Sequence, residues 1–301
     1  MELYQLRYFL AVRDGGSTMA AAARLGVGQS SVSTAVRGLE RELGARLFHR
    51  VGRGMVPTPA GHALVGPARR IVRECDQSIE VAADPGRRVS GRLEIAALST
   101  AVSGPLAELI AQWLTDTTGA GVHVHDLARE EEVVEALTGG SIEIVCTRVP
   151  LAVAPAGALR VLPLGPGDLH VAFPPGAETP PDRVLDLADL TAVPMVLVPP
   201  GRRSDFERET ARQPLEVAAV VEQREARTSL MLGGVGATIV GPALARTARA
   251  GGAHVRRLAP RFREEMGLVF DPDQLSSVAR SFIDTAVEYV GRGGQQRLAR
   301  G

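Results

Sequence analysis

Lysine is absent from the 301 residues: all 34 basic side chains are arginine. That excludes a lysine Schiff base and the lysine of a phosphate-binding P-loop. Aromatic residues make up 4% of the chain, too few for an aromatic-rich sugar cleft or a base-stacking platform. Cysteine is limited to Cys75 and Cys146, with no C-x-x-C. Neither a disulfide framework nor a cysteine zinc site is expected, and a reducing, cytoplasmic setting is. No G-x-S-x-G elbow and no H-E-x-x-H helix occur, so no catalytic residues are assigned. Long hydrophobic runs are missing as well. The longest uncharged stretch, Thr228 to Ala245, contains four glycines and Pro242 and reads as helix–turn–strand, not as a membrane span. The opening run MELYQLRYFLAVRDGG mixes acidic and basic residues into its apolar positions, unlike a secretory leader.

What is present is a divided charge. The 34 acidic residues balance the 34 basic ones overall. Residues 1–90 hold 13 Arg and 8 Asp/Glu, which is 13 − 8 = +5; residues 91–301 hold 21 Arg and 26 Asp/Glu, which is 21 − 26 = −5. A basic head on an acidic body points to a polyanion as the partner of the head.

The head reads as helices. Leu3, Leu6, Phe9 and Leu10 recur at helical spacing, and the pattern stops at Asp14-Gly15-Gly16. Ser17 or Thr18 caps an alanine-rich second helix that runs to Leu25. After Gly26-Val27-Gly28, a third helix starts near Gln29 with Val32, Val36, Leu39 and Leu43 on its apolar stripe. Two short helices across a tight glycine turn form a helix-turn-helix pattern. Ser30, Ser31, Ser33, Thr34 and Arg37 lie largely on the other faces of the third helix. Small hydroxyl residues there suit close approach to a major groove. Residues 47–58 read as a β-hairpin, a wing whose Arg50 and Arg53 reach phosphates or the adjacent minor groove. Ser17, Gln29 and Thr58 complete the candidate DNA contacts.

A long helix follows from Thr58-Pro59-Ala60-Gly61. Leu64, Ala68, Ile71, Cys75 and Ile79 form its apolar stripe. Pairing with a second copy of the chain is the favoured use of that stripe, and packing against its own head is the alternative. Asp84-Pro85-Gly86 ends the helix and marks a hinge.

These residues resemble the LysR-type transcriptional regulators. The resemblance lies in Ala22-Ala23-Arg24-Leu25, Gln29-Ser30-Ser31-Val32-Ser33, Leu39-Glu40, Leu43-Gly44, Leu47-Phe48, Arg50 and Thr58-Pro59-Ala60-Gly61, in that order and spacing. Further on, Gly91-Arg92-Leu93-Glu94-Ile95-Ala96 resembles the opening strand of the family's effector domain, and residues 232–242 resemble its glycine-rich helix-to-strand turn. The resemblance implies an α/β protein: an N-terminal winged helix-turn-helix, a long linker helix and a two-lobed, periplasmic-binding-protein-like effector domain. It implies dimers or tetramers on double-stranded promoter DNA, with RNA polymerase as a further partner. The boundaries expected are 1–60 for the winged domain, 61–88 for the linker and dimerisation helix, and 89–301 for the effector domain. Within the last, lobe I takes about 91–160 and 267–301, and lobe II about 161–266.

Read from its own residues, the body alternates strands and helices from Leu93 onward, which argues a mostly parallel sheet covered by helices. Two linked α/β lobes make a hinged cleft. Ligands in such sheets sit beyond the carboxyl ends of strands. Ser99 and Thr100 follow the first strand there, and Thr147 and Arg148 the third. Arg202 and Ser204 follow the strand Met195–Val198, and Arg224 and Arg227 flank the start of the glycine-rich helix. Ser99, Thr100, Thr147, Arg148, Arg202, Ser204 and Arg227 are the candidate effector contacts, and they suit a small anionic molecule. Gly233-Gly234-Val235-Gly236 lacks the third glycine and the preceding strand of a dinucleotide fingerprint. No cofactor is expected. His123 and His125 share one strand face; such a lone pair reads as surface, and no metal site is expected. Cys146 is placed near the cleft, but a thiol switch usually needs a partner thiol.

The leading function is therefore a ligand-responsive transcription factor that binds but does not catalyse. Two other readings stay open: an architectural DNA binder with a silent body, and a solute-binding or enzymatic module with a vestigial head.

Overall fold

The computed structural model describes residues 1–52, 54–83, 91–127, 129–151, 158–180, 184–199, 209, 212 and 214–298. Leu6, Phe9 and Val12 recur every three residues, and all three are buried. One face of α1 (Leu3–Gly15) therefore enters a core shared with α2 (Thr18–Leu25) and α3 (Gln29–Leu43). The turn between α2 and α3 is tight because Gly26 takes φ +67°, a conformation that costs a side-chain-bearing residue about 1 kcal/mol. A two-stranded antiparallel wing follows, β1 (Phe48–Val51) with β2 (Gly54–Pro57). Then comes the long helix α4 (Pro59–Ala83), which contains Pro67 without ending at it.

The body begins with β3 (Gly91–Ala97), α5 (Ser99–Val102), α6 (Pro105–Asp116), β4 (Ala120–Asp126), α7 (Val133–Thr138) and β5 (Ile144–Val149). β3, β4 and β5 are parallel. The chain then leaves this lobe along β6 (Arg160–Asp168) and returns along β13 (Arg263–Phe270). These two long strands pair antiparallel, from Arg263 opposite Asp168 to Phe270 opposite Arg160. The resulting sheet has the order β4-β3-β5-β13-β6. It is mixed where a mostly parallel sheet was expected, because the outward and return crossings pair with each other. Closing helix α10 (Ser277–Leu298) packs on this sheet beside α6. Trp113 and Phe282 meet edge-to-face at 5.6 Å in that core.

Between the crossings lies the second lobe. It contains β7 (His170–Phe173), β8 (Val184–Leu185), β9 (Met195–Leu197), β10 (Val217–Val220), α8 (Ala226–Leu232), β11 (Thr238–Val240), α9 (Pro242–Ala250) and β12 (His254–Leu258). β11, β7, β12 and β8 form one sheet. The parallel pair β10-β9 adjoins it through a bridge between Met195 and Ala237. Helix α9 begins inside the stretch Thr228–Ala245 that reads as helix–turn–strand, and so adds a second helix to it. Among the described residues, no helix is long and apolar enough to cross a membrane.

Helix α4 touches both ends of the molecule. Val65 and Ala68 are buried in the head core. On another face Gly66 lies against Gly140, Arg69 donates to the Gly139 carbonyl at 3.0 Å, and Arg70 donates to Gln274 Oε1 at 2.6 Å. Arg73 lies 3.3 Å from Glu143.

Candidate nucleic-acid interface and ligand cleft

Helix α3 buries Val32, Ala35, Val36 and Leu39, so its remaining faces turn outward. Gln29, Ser30, Ser31, Thr34 and Arg37 are exposed, and Ser33 is half-buried. Ser17 caps α2 by accepting from the Ala20 N–H at 3.1 Å. Gln29 donates to the Thr18 hydroxyl at 3.1 Å, which joins the starts of α2 and α3. The wing is held in place from two sides. The Met55 N–H donates to the Gly16 carbonyl at 2.7 Å. Glu40 on α3 accepts from the Leu47 N–H at 2.8 Å. Glu40 belongs to the quoted sequence signature, but its tethering role depends on a residue seven positions away and was not read. Arg50 is exposed on β1, while Arg53 lies outside the described residues.

Two expectations change here. Thr58 is only 5% exposed. Its hydroxyl donates to the Arg46 carbonyl at 2.6 Å and accepts from the Gly61 N–H at 3.0 Å. It is a buried cap for α4, so it does not face DNA. The apolar stripe of α4 also splits. Ala68 is fully buried and Leu64 partly buried against the chain's own head, which removes Ala68 from any contact with a second copy. Ile71 and Ile79 are exposed, and Cys75 is half-buried.

A cavity of about 550 Å³ opens between the two lobes. Leu164, Leu197, Leu215, Ile239 and Met266 give it an apolar wall. Arg148, Arg224, Arg227 and Arg246 line it together with Glu108 and Glu264, a balance of +4 − 2 = +2. Its polar groups are largely tied to one another. Arg148 donates to Glu130 at 2.7 Å and to Glu264 at 3.0 Å. Glu108 on α6 accepts from Arg246 on α9 at 2.8 Å and from the Tyr289 hydroxyl at 2.8 Å, so this contact spans the lobes at the rim. Sequence reading missed Glu108, Arg246, Glu264 and Tyr289, which only the fold brings to one place.

Of the expected effector contacts, Thr100, Arg148 and Arg227 line the cavity. Ser99 starts α5 beside it without lining it. Thr147 is fully buried and is not part of the lining. Arg148, the next residue on β5, lines the cavity, so the alternation of the strand turns Thr147 to the other face. Arg202 and Ser204 lie outside the described residues. Cys146 is likewise fully buried and outside the lining, and burial pushes its thiol up to about 12. A thiol-reactive reagent at pH 8 is thus expected to leave Cys146 unlabelled in the folded protein and to reach both cysteines in denaturant. Labelling of Cys146 in the folded protein would contradict its placement.

The body also holds a carboxylate that the sequence reading of the histidines lacked. Glu94 on β3 sits opposite His123 on β4. Its Oε2 is 3.1 Å from His123 Nδ1 and 2.6 Å from His125 Nε2.

Residues 3–62 match the family described as bacterial regulatory helix-turn-helix proteins of the lysR family, and residues 86–291 match the LysR substrate binding domain. The HTH-type transcriptional regulator TcbR of Pseudomonas sp. (strain P51) is 29% identical over 299 residues, covering 94% of this chain and 97% of that protein. The crystal structure of full-length CbnR with its target DNA is similar at a TM-score of 0.56 and 27% identity, covering 96% of this chain and 100% of that one. A full-length OxyR from Pseudomonas aeruginosa shares the fold at a TM-score of 0.69 and 21% identity, covering 96% of this chain and 97% of that one.

Proposed function

The chain belongs to the LysR family of bacterial transcriptional regulators and is a ligand-responsive DNA-binding regulator, and from that premise we propose how its parts divide the work. Residues 1–60 bind double-stranded promoter DNA, with Ser30, Ser31, Ser33, Thr34 and Arg37 on α3 facing the major groove. Ser17 and Gln29 lie at the helix starts, and Arg50 reaches a phosphate. The linker, residues 61–88, pairs with a second copy through Ile71, Cys75 and Ile79 on α4, giving a homodimer or homotetramer; the expected hinge at Asp84-Pro85-Gly86 lies outside the described residues. Residues 89–301 sense a small molecule in the cleft between the lobes. The protein works beside DNA in the cytoplasm, engages RNA polymerase at the promoter and catalyses no reaction.

The observation that carries the sensing half is the cavity itself, an apolar wall with two arginines more than its glutamates. That combination fits a small apolar acid. Its carboxylate would compete with Glu130 and Glu264 for Arg148. Occupancy would alter contacts on both lobes and so bias their arrangement.

The test is binding to the DNA upstream of the protein's own coding region, as a salt series, with and without apolar carboxylic acids. Sequence-specific, salt-sensitive binding that such an acid shifts is the expected result. Arg50→Ala is expected to weaken binding to all sequences alike and to lower the salt slope by about 1. Binding no tighter than to random DNA would remove autoregulation, and failure to bind either DNA at low salt would remove this reading of the head. Indifference to every acid tried would remove the anionic effector.

A further inference from the structure

We propose that Glu94, His123 and His125 form a binding site for a late first-row divalent metal ion, with zinc(II) as the ion its donors fit best. The three come from neighbouring parallel strands. His123 and His125 are two positions apart on β4 and therefore share a face, and Glu94 is the register partner of His123 on β3. Their ligand atoms, His123 Nδ1, His125 Nε2 and one Glu94 oxygen, all lie within 4.8 Å of one another. Among the described residues this is the one such group of three.

The geometry is close to that of a bound ion. Bonds of 2.0–2.2 Å in a tetrahedral site put ligand atoms about 3.4 Å apart. The distance from Glu94 Oε2 to His123 Nδ1 is 3.1 Å, and to His125 Nε2 it is 2.6 Å. The rings lie 4.1 Å apart. Small outward shifts of two side chains would admit an ion. Glu94 is also oriented for the task. Arg92 donates to its Oε1 at 2.6 Å, which leaves Oε2 as the oxygen that faces both imidazoles. The Glu94 side chain is 15% exposed, and those of His123 and His125 are 52% and 36% exposed, so the floor is fixed and the entrance is open. Two imidazoles with one carboxylate suit zinc, copper, nickel or iron(II) over magnesium or calcium, which prefer all-oxygen sites.

A bound ion would tie β3, the strand that opens the body, to β4 at the edge of its sheet. The site requires neither DNA nor an effector, so it stands or falls apart from the regulator's other properties.

The test uses untagged full-length protein, stripped with a chelator and titrated with zinc(II) by calorimetry. Cobalt(II) serves as the coloured probe. One ion per chain is expected, with a visible cobalt spectrum free of the near-ultraviolet thiolate band. His123→Ala and His125→Ala are each expected to weaken zinc binding at least tenfold, as is Glu94→Gln. The exposed His254→Ala is expected to leave it unchanged. His123 is the most exposed of the three, so its variant carries the test even if Glu94→Gln fails to fold. Absence of binding up to ~1 mM free zinc, or equal binding by His123→Ala and His125→Ala, would overturn the site.

Discussion

Gly61→Ala is expected to destabilise the head severely. A β-carbon at position 61 would stand 2.1 Å from the Leu47 carbonyl oxygen and 3.1 Å from its carbon. Both are backbone atoms at the start of the wing, and they cannot turn aside as a flexible side chain could. The Leu47 carbonyl also accepts from the Thr58 N–H at 2.9 Å, and Leu47 itself is 1% exposed in the head core. Relieving the clash therefore means moving the wing, the cap or α4. Forcing extra volume into such a contact costs about 3 kcal/mol or more. For a unit of this size, that lowers the midpoint by roughly 12–24 °C. Helix propensity alone predicts the opposite, since alanine improves on a helical glycine by about 0.5–1 kcal/mol. Gly291→Ala in α10 is the control: its added carbon meets nothing within 4 Å, and the variant is expected to gain stability. Thermal unfolding of both variants, with DNA binding measured on the same samples, decides the matter. A Gly61→Ala protein as stable as the parent would show that α4 does not press on the wing as closely as described.

The head was legible in the sequence for the same reason that it is fragile: its contacts are local. Leu6, Phe9, Val32, Val36 and Leu39 repeat at helical spacing and bury as the repeat requires. Legibility falls as contacts lengthen. No short-range pattern says that β6 and β13, about a hundred residues apart, pair antiparallel, or that Glu108 meets Arg246 across the cleft. The histidine pair shows the same limit. Two histidines on one strand face could be read from their spacing, but Glu94 reaches them only through the register of two strands. The stripe on α4 was visible, yet its division was not, because each end of the helix faces a different neighbour. Helix α9 is a different kind of omission. Pro242 at its start and the alanines that follow are local signals, but they adjoin the stretch of residues 232–242, which reads as a glycine-rich helix-to-strand turn.

Arg73→Met is expected to free α4 from the effector domain, and to do so more at high pH than at low. The Glu143 side chain is 1% exposed and that of Arg73 16%. Glu143 also accepts from the Ser276 N–H at 2.7 Å, near the start of α10. Burial lifts the Glu143 carboxyl above its ordinary value, against the pull of Arg73 and Ser276. The folded state thus binds that proton more readily than the unfolded chain. Its contribution is fullest below the carboxylate range and is lost as pH rises through the folded value. Without Arg73 the pull is smaller, the folded value climbs further, and the loss at neutral pH deepens. Breaking a buried pair from one side costs about 3 kcal/mol, a factor of roughly 150 in an equilibrium. The cost has an escape. Helix α4 can lift away, losing the Gly66–Gly140 contact and the bonds of Arg69 and Arg70, so that water reaches Glu143. Tryptic cleavage at Arg69 and Arg70 reports that opening, and it should quicken on the order of 100-fold at pH 8 and less at pH 5. The pair is also incomplete, since Arg73 Nε and Glu143 Oε2 are buried without hydrogen-bond partners. Arg73→Met combined with Glu143→Leu is therefore expected to recover most of the lost protection and to abolish its pH dependence. Cleavage of the single variant at the parent's rate, at both pH values, would mean that the two residues do not hold the helix to the body. The recovered double variant would then separate two roles of the contact: apolar packing alone can dock the helix, whereas the ionic pair makes docking answer to protonation of one buried carboxyl.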